Sequence, residues 1–181
     1  RHLDGVSLAA LINTESVTVA LGVATVWLAL AEHLEAAGGE TPTLKRIIVG
    51  GAPISPVLME RIERRLGASV QTSWGMTEMS PTGTVAPPDD PRRAAHLSGR
   101  PSIGVDLLLT DAEGVPLPEQ RGVEGHLRAR GASTIQRYFG ETRPAVDAGG
   151  WFATGDLARI EPDGNLVITG RAKDLIKPGG E

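Results

Sequence analysis

The first ninety residues alternate between two hydrophobic periods. In "SLAALINTE" the apolar positions follow helical spacing with Ser7 as the N-cap, whereas "SVTVALG" interleaves β-branched residues as a strand does. From Thr25, "TVWLALAEHLEAAGG" sets Val26, Leu30, His33 and Leu34 on one helical face and stops at Gly38-Gly39. "LKRIIVGGAP" reads as a buried strand that runs into a glycine turn. "SPVLMERIERRLG" reads as a helix with Ser55 at its N-cap, Pro56 at its first position, Leu58, Ile62 and Leu66 on its apolar face and Gly67 at its end. "SVQTSWG" is a further strand. Strand and helix in strict alternation predict a parallel sheet flanked by helices. Ligands of such sheets gather at the carboxyl ends of the strands. Two stretches fall at that edge: Gly50 to Pro53, and "SWGMTEMSP", Ser73 to Pro81.

After about Thr84 the pattern changes. The segment "APPDDPRR" reads as a connector, and beyond it "GVDLLLTDAEGVPL", "GHLRARG" and "GDLARIEPDGNLVITG" read as short strands. Two carry hairpin-like turns, at Glu113-Gly114 and Asp163-Gly164. This half is expected to form a small β-rich subdomain.

Composition adds exclusions. With 18 basic and 22 acidic residues the net charge is −4, and Lys and Arg are scattered, so there is no electrostatic footprint for nucleic acid or an anionic membrane. The absence of cysteine removes disulfides, thiolate nucleophiles and thiolate metal sites together. His2, His33, His96 and His126 lie too far apart to suggest a local metal motif. The most apolar stretch, Val17 to Leu34, is interrupted by Thr18, Gly22, Thr25 and Glu32 and fits neither a membrane span nor a signal peptide. A soluble, cytoplasmic protein is expected.

Four stretches carry candidate chemistry. A loop that only turns has little use for Trp74, Thr77 and Glu78 together. Trp74 offers a face to an aromatic base, Gly75 a close backbone, Thr77 a hydroxyl to a phosphate oxygen and Glu78 a hard oxygen to Mg²⁺. The bland alternative is that Trp74 closes the core and Glu78 caps a turn. "VGGAP" allows close approach to the backbone, or serves only as a steric turn, and with no following Lys-Ser or Lys-Thr it is not a phosphate loop. In "WFATGDL", Asp156 either accepts both hydroxyls of a ribose or caps backbone. "GRAKDLIKPGGE" gathers Arg171, Lys173 and Lys177 before Pro178-Gly179-Gly180, as a phosphate or sugar contact or as a solvated basic edge.

Taken in order and spacing, "GGAP", "SWGMTEMSP", "GWFATGDL" and "GRAKDLIK" closely resemble the core motifs of the adenylate-forming superfamily, which comprises acyl-CoA synthetases, firefly-type luciferases and peptide-synthetase adenylation domains. The resemblance runs from about Thr25 to the last residue. It implies an α/β fold: part of a doubly wound parallel-sheet subdomain over residues 1–90, a small β-rich, distorted-barrel subdomain over 91–170, and a hinge segment over 171–181. It also implies that the backbone of Gly51, Ala52 and Pro53 borders an adenine pocket and that Trp74 stacks on the base beside Gly75. Thr77 would contact the α-phosphate, Glu78 would bind Mg²⁺, and Asp156 would hold the ribose with Arg171 adding a sugar or phosphate contact. Lys173 matches the hinge about which the family's C-terminal domain rotates, and Lys177 is a further phosphate-contact candidate.

The implied reaction uses ATP, Mg²⁺ and CoA. A carboxylate attacks the α-phosphorus to give acyl-adenylate and pyrophosphate, and the thiol of CoA then displaces AMP. "TVWLAL" resembles the fatty-acyl-CoA synthetase branch, which makes Trp27 a gate candidate for the acyl tunnel, although its place on an amphipathic helix equally suits core packing. A fatty acid is the expected acid, in a ligase that leaves a homodimeric full-length protein open. The Ser/Thr/Gly-rich phosphate loop and the catalytic lysine of the family lie outside this sequence. An internal fragment, inactive by itself, is therefore expected. Adenylation coupled to a carrier protein, a luciferase-like oxidase and a non-catalytic AMP-binding remnant are the rival readings.

Overall fold

The computed structural model describes residues 3–174. It falls into two compact units, Arg1–Trp74 with Val85–Leu97 and Gly75–Thr84 with Ser98–Glu181. A single cut near residue 90, which the sequence suggests, thus becomes three crossings.

In the first unit the order is α1 (Gly5–Thr14), β1 (Val19–Gly22), α2 (Ala24–Ala37), β2 (Arg46–Val49), α3 (Pro56–Leu66) and β3 (Ser69–Gly75). β1 pairs with β2 in parallel, Val19 opposite Arg46, and β2 pairs with β3 in parallel, Val49 opposite Thr72. Helix α1 begins earlier than its apolar pattern. Asp4, not Ser7, is the N-cap, and its carboxylate accepts from the Ser7 N–H at 2.8 Å and from the Ser7 hydroxyl at 3.1 Å. Aspartate satisfies the first-turn donors as well as serine does, and Ser7 stands three residues on, at the position that receives the cap. Helix α3 keeps its expected ends: the Ser55 hydroxyl accepts from the Leu58 N–H at 3.2 Å, Pro56 opens the helix and Gly67 ends it in the left-handed region at φ 62°.

The buried faces keep Leu30, Leu34, Ile62 and Leu66 as expected and differ from the sequence pattern at their margins. On α2 the core residues are Trp27, Leu30, Ala31 and Leu34, with Val26 and His33 half-buried. On α3 they are Met59, Ile62 and Leu66, with Leu58 packed at the margin. These side chains close over Ile47 and Val70, which are fully buried. The "APPDDPRR" segment is docked rather than a free linker. The Ala86 N–H donates to the Thr72 carbonyl at 2.8 Å, Gln71 donates to the Ala86 carbonyl at 2.6 Å, and Arg93 donates to the Val70 carbonyl and to Glu63 Oε1, each at 2.7 Å. Proline and aspartate set the local turns, but the guanidinium of Arg93 decides where the segment lies.

The second unit is built on an antiparallel meander, β6 (Val105–Thr110), β7 (Glu124–Gly131), β8 (Phe152–Ile160) and β9 (Leu166–Arg171), in that order. Strand β7 buries every second residue, Gly125, Leu127 and Ala129, as period-two patterning requires. The Asp163-Gly164 turn joins β8 to β9 as expected. The Glu113-Gly114 turn forms too, with the Asp111 N–H donating to the Val115 carbonyl at 2.9 Å, but its return arm shrinks to a single bridge between Thr110 and Pro116. Pro116 and Pro118 lack the N–H groups that a longer ladder needs. Two short strands, β4 (Thr82–Val85) and β5 (Arg100–Pro101), lie outside the sequence pattern because too few residues carry a period. No helix among the described residues is long and apolar enough to cross a membrane.

Helices α2 and α3 are tied by Arg61, which donates from Nε to Glu35 Oε1 at 3.1 Å and from Nη2 to Oε2 at 2.5 Å. These hydrogen bonds from Arg61 hold the Glu35 carboxyl below its ordinary value. A depressed folded-state value means stability that is present above the ordinary glutamate range and lost as pH falls through the folded value. Glu35→Gln is therefore expected to lower the thermal midpoint slightly at neutral pH, with the deficit closing on acidification. Unfolding midpoints of the two proteins across a pH series check this, and a deficit independent of pH would count against it.

Candidate functional site

In the first unit the loop after β2 is open to solvent: Gly51, Ala52 and Pro53 are all exposed. Gly51 sits at φ 82°, where a side chain would be strained, and a Cβ there would stand 3.3 Å from Val23 Cγ1. The neighbouring strand is locked at the same edge, where the Ser73 hydroxyl donates to the Val49 carbonyl at 3.0 Å. Trp74 is buried. Trp27 is 3% exposed, belongs to the hydrophobic core and packs its ring against Gly22.

In the second unit the peptide after Trp74 makes a tight excursion. Gly75 leads through Met76 to a 3-10 turn, Thr77–Met79, closed by Ser80 at φ 59°. The Met76 N–H donates back to the Pro81 carbonyl at 2.8 Å, and a Cβ on Gly75 would stand 2.0 Å from that same oxygen. Only glycine fits. Met79 plugs the core with no exposed surface, which turns Thr77 outward and leaves Glu78 half-buried.

Glu78 is held at both ends. Its carbonyl accepts from the Ile135 N–H at 2.7 Å, and its Oε1 accepts from the Tyr138 hydroxyl at 2.9 Å. The hydrogen bond to this carboxylate holds the Tyr138 phenol above its ordinary value. Beside it the Ser80 hydroxyl donates to the Ser133 carbonyl at 3.1 Å. Tyr138 escaped the sequence reading because its partner lies 60 residues away. The one signal available was that it is the only tyrosine in the chain.

Asp156 occupies a different part of the same unit, on β8. Gly155, at φ 77°, precedes it, and the β8–β9 register shifts between Leu157 and Ala158, so that Asp156, Leu157 and Ala158 are buried in succession. Its N–H donates to the Thr154 hydroxyl at 3.1 Å, which itself donates to the Leu127 carbonyl at 2.8 Å. Arg171 lies directly opposite on β9 and pairs with it, Nε to Oδ1 at 2.8 Å. The carboxylate is 3% exposed and the guanidinium 56%. The pair thus sets a buried carboxylate directly beside an accessible guanidinium. Lys173 is exposed on a 3-10 turn, Ala172–Asp174, immediately after β9. Lys177 lies outside the described residues.

No cluster of three or more His, Cys, Asp or Glu side chains forms among the described residues. Glu78 is instead a single carboxylate with Oε1 anchored by Tyr138 and with no partner for Oε2 among those residues. This suits a small hard cation such as Mg²⁺, which is bound through one or two carboxylates and completes its shell with phosphate and water.

A parallel α/β layer with glycine loops at its carboxyl edge, joined in one chain to an antiparallel unit bearing a buried acid–arginine pair, is the build of an adenylate-forming domain. The chain belongs to the AMP-binding enzyme family, whose model matches residues 1–139. It is 39% identical to the medium-chain-fatty-acid–CoA ligase of Ectopseudomonas oleovorans, across 99% of this chain and 34% of that protein. It is 37% identical to the 3-methylmercaptopropionyl-CoA ligase of Ruegeria lacuscaerulensis, across 99% of this chain and 35% of that protein. The solved structure of O-succinylbenzoate coenzyme A synthetase from Bacillus subtilis, in complex with ATP and magnesium ion, superposes with a TM-score of 0.83 at 25% identity, over 98% of this chain and 36% of that one. The chain thus spans about a third of the length of the curated relatives it matches.

The contact at Gly75 gives a direct test of the local geometry. Gly75→Ala is expected to destabilise the protein by roughly 1–3 kcal/mol, the usual range for overpacking, because the obstructing atom is backbone. Denaturant unfolding measures it, and a change near zero would show that the 75–81 excursion is not held as described.

Proposed function

We propose that this chain is the adenosine-binding and metal-binding part of an AMP-forming acyl-CoA ligase acting on a fatty acid. The observation that carries the reading is the Asp156–Arg171 pair, because a carboxylate at 3% exposure beside an accessible guanidinium suits a sugar diol next to a phosphate. The names of the relatives support ligation to CoA. They span medium-chain, long-chain and sulfur-containing acids, so the acid itself rests on the resemblance of the "TVWLAL" and "WGMTEMSP" segments to the fatty-acyl branch.

On this reading the exposed Gly51, Ala52 and Pro53 backbone borders the base, Trp74 supplies the aromatic face and Gly75 the close approach. Asp156 accepts the ribose hydroxyls, and Arg171 neutralises charge nearby. The Thr77 hydroxyl donates to an α-phosphate oxygen while the acid's carboxylate attacks phosphorus and pyrophosphate leaves. Magnesium, when held by Glu78, would neutralise negative charge that builds on the phosphate oxygens. Lys173 is the pivot that presents a second active-site face for attack by the CoA thiol, and Lys177 a further phosphate contact. Trp27 is better supported as core packing than as an acyl gate, since its ring is buried against Gly22. The phosphate loop and the catalytic lysine would come from the remainder of a protein of the relatives' length.

The decisive assay is acid-dependent pyrophosphate exchange by the full-length protein. Absence of exchange with every carboxylic acid offered sinks the enzyme reading, and AMP release dependent on a carrier protein instead of CoA would redirect it. Glu78→Ala is expected to slow the magnesium-dependent first step by about 100-fold, a scale typical of losing one electrostatic stabiliser. Lys173→Pro is expected to spare adenylation and impair thioester formation. Equal loss of both half-reactions in separate assays would remove the pivot from Lys173.

A further inference from the structure

We propose that Tyr138 is the positioning residue of the metal site, orienting the Glu78 carboxylate so that Oε1 is occupied and Oε2 is presented to the cation. The proposal rests on the reading of Glu78 as the magnesium ligand. The 3-10 turn fixes the backbone of Glu78 through the Met79 N–H to Met76 carbonyl bond at 2.9 Å and the Ser80 N–H to Thr77 carbonyl bond at 3.2 Å. Neither bond restrains the glutamate side chain, which has three torsions of its own. The 133–138 segment does. It holds the main chain of Glu78 through Ile135, steadies Ser80 through Ser133, and reaches the carboxylate through Tyr138. One stretch of chain therefore sets both where the ligand stands and which way it points.

Burial does not account for Tyr138. The residue is 46% exposed and its neighbour Phe139 is fully exposed, so the hydrophobic effect has little hold on either. What fixes the phenol is its hydroxyl, and its partner among the described residues is Glu78 Oε1. A donor on one oxygen favours contact with a cation through the other, in keeping with Mg²⁺ sites that use one or two carboxylates and complete their shell with substrate phosphates and water. Partners that orient a ligand in this way typically change metal affinity by about 10–100-fold when removed.

The test uses full-length protein with ATP and no acid, and Mn²⁺ as a paramagnetic substitute read by electron paramagnetic resonance. Tyr138→Phe is expected to weaken Mn²⁺ binding about tenfold, at the low end of that range, with an unchanged thermal midpoint. In a Glu78→Gln background the same change is expected to have no further effect, because the two residues act as one unit. A tenfold loss from Glu78→Ala with none from Tyr138→Phe overturns this proposal and leaves the Glu78 reading standing. No loss from Glu78→Ala overturns both. An undiminished effect of Tyr138→Phe in the Glu78→Gln background shows that the tyrosine acts elsewhere, and also overturns it. Should Tyr138→Phe fail to fold, Tyr138→Leu takes its place, and failure of both to fold marks the residue as structural and ends the proposal.

Discussion

The hydrogen bond from the Ile135 N–H to the Glu78 carbonyl is the constraint on which the candidate chemistry depends. The 75–84 segment has only a three-residue 3-10 turn and a short strand of its own, too little local structure to hold a shape in water. Its form is imposed by partners distant in sequence: Ile135 and Ser133 on one side, and Ser102, whose N–H donates to the Gly83 carbonyl at 3.0 Å, on the other. That is why the compact units divide the chain between Trp74 and Gly75, in the middle of a continuous motif. The aromatic residue falls in one unit, and the hydroxyl and the carboxylate fall in the other.

What could be read from the sequence follows the range of the forces involved. Helix α3 was legible to both ends, because Ser55, Pro56 and Gly67 act within a single turn of their neighbours. The β8–β9 hairpin was legible for the same reason at Asp163-Gly164. The start of α1 was misplaced because Asp4 and Ser7 are both competent caps, and which one caps depends on where the helix packs. The docking of Arg93 on Glu63 and Val70 left no trace in a segment whose prolines and aspartates read as linker.

The candidate residues divide in the same way. Asp156 and Arg171 were separately visible, but their pairing requires the β8–β9 register and the shift at Leu157–Ala158, which no local pattern announces. Trp27 was undecided on the sequence, and its burial places it with Leu30 and Ile62 in the core. Family membership adds what geometry alone lacks, namely that these loops sit in a chain built like known acid–CoA ligases. The matched length is about a third of those proteins.

The register shift at Leu157–Ala158 has a consequence for how such a chain can change. Strand β9 is phased by two marks, Asp156 opposite Arg171 beyond the shift and Ile160 opposite Leu166 before it. Between them an inserted or deleted residue would turn Arg171 to the other face and displace every residue after it by one position. The turn around Asp163 and Gly164 is where an added residue would be absorbed before the phase is set. The shift works as an indexing notch: it lets the outer turn drift while the acid, the guanidinium and the start of the following segment stay in step.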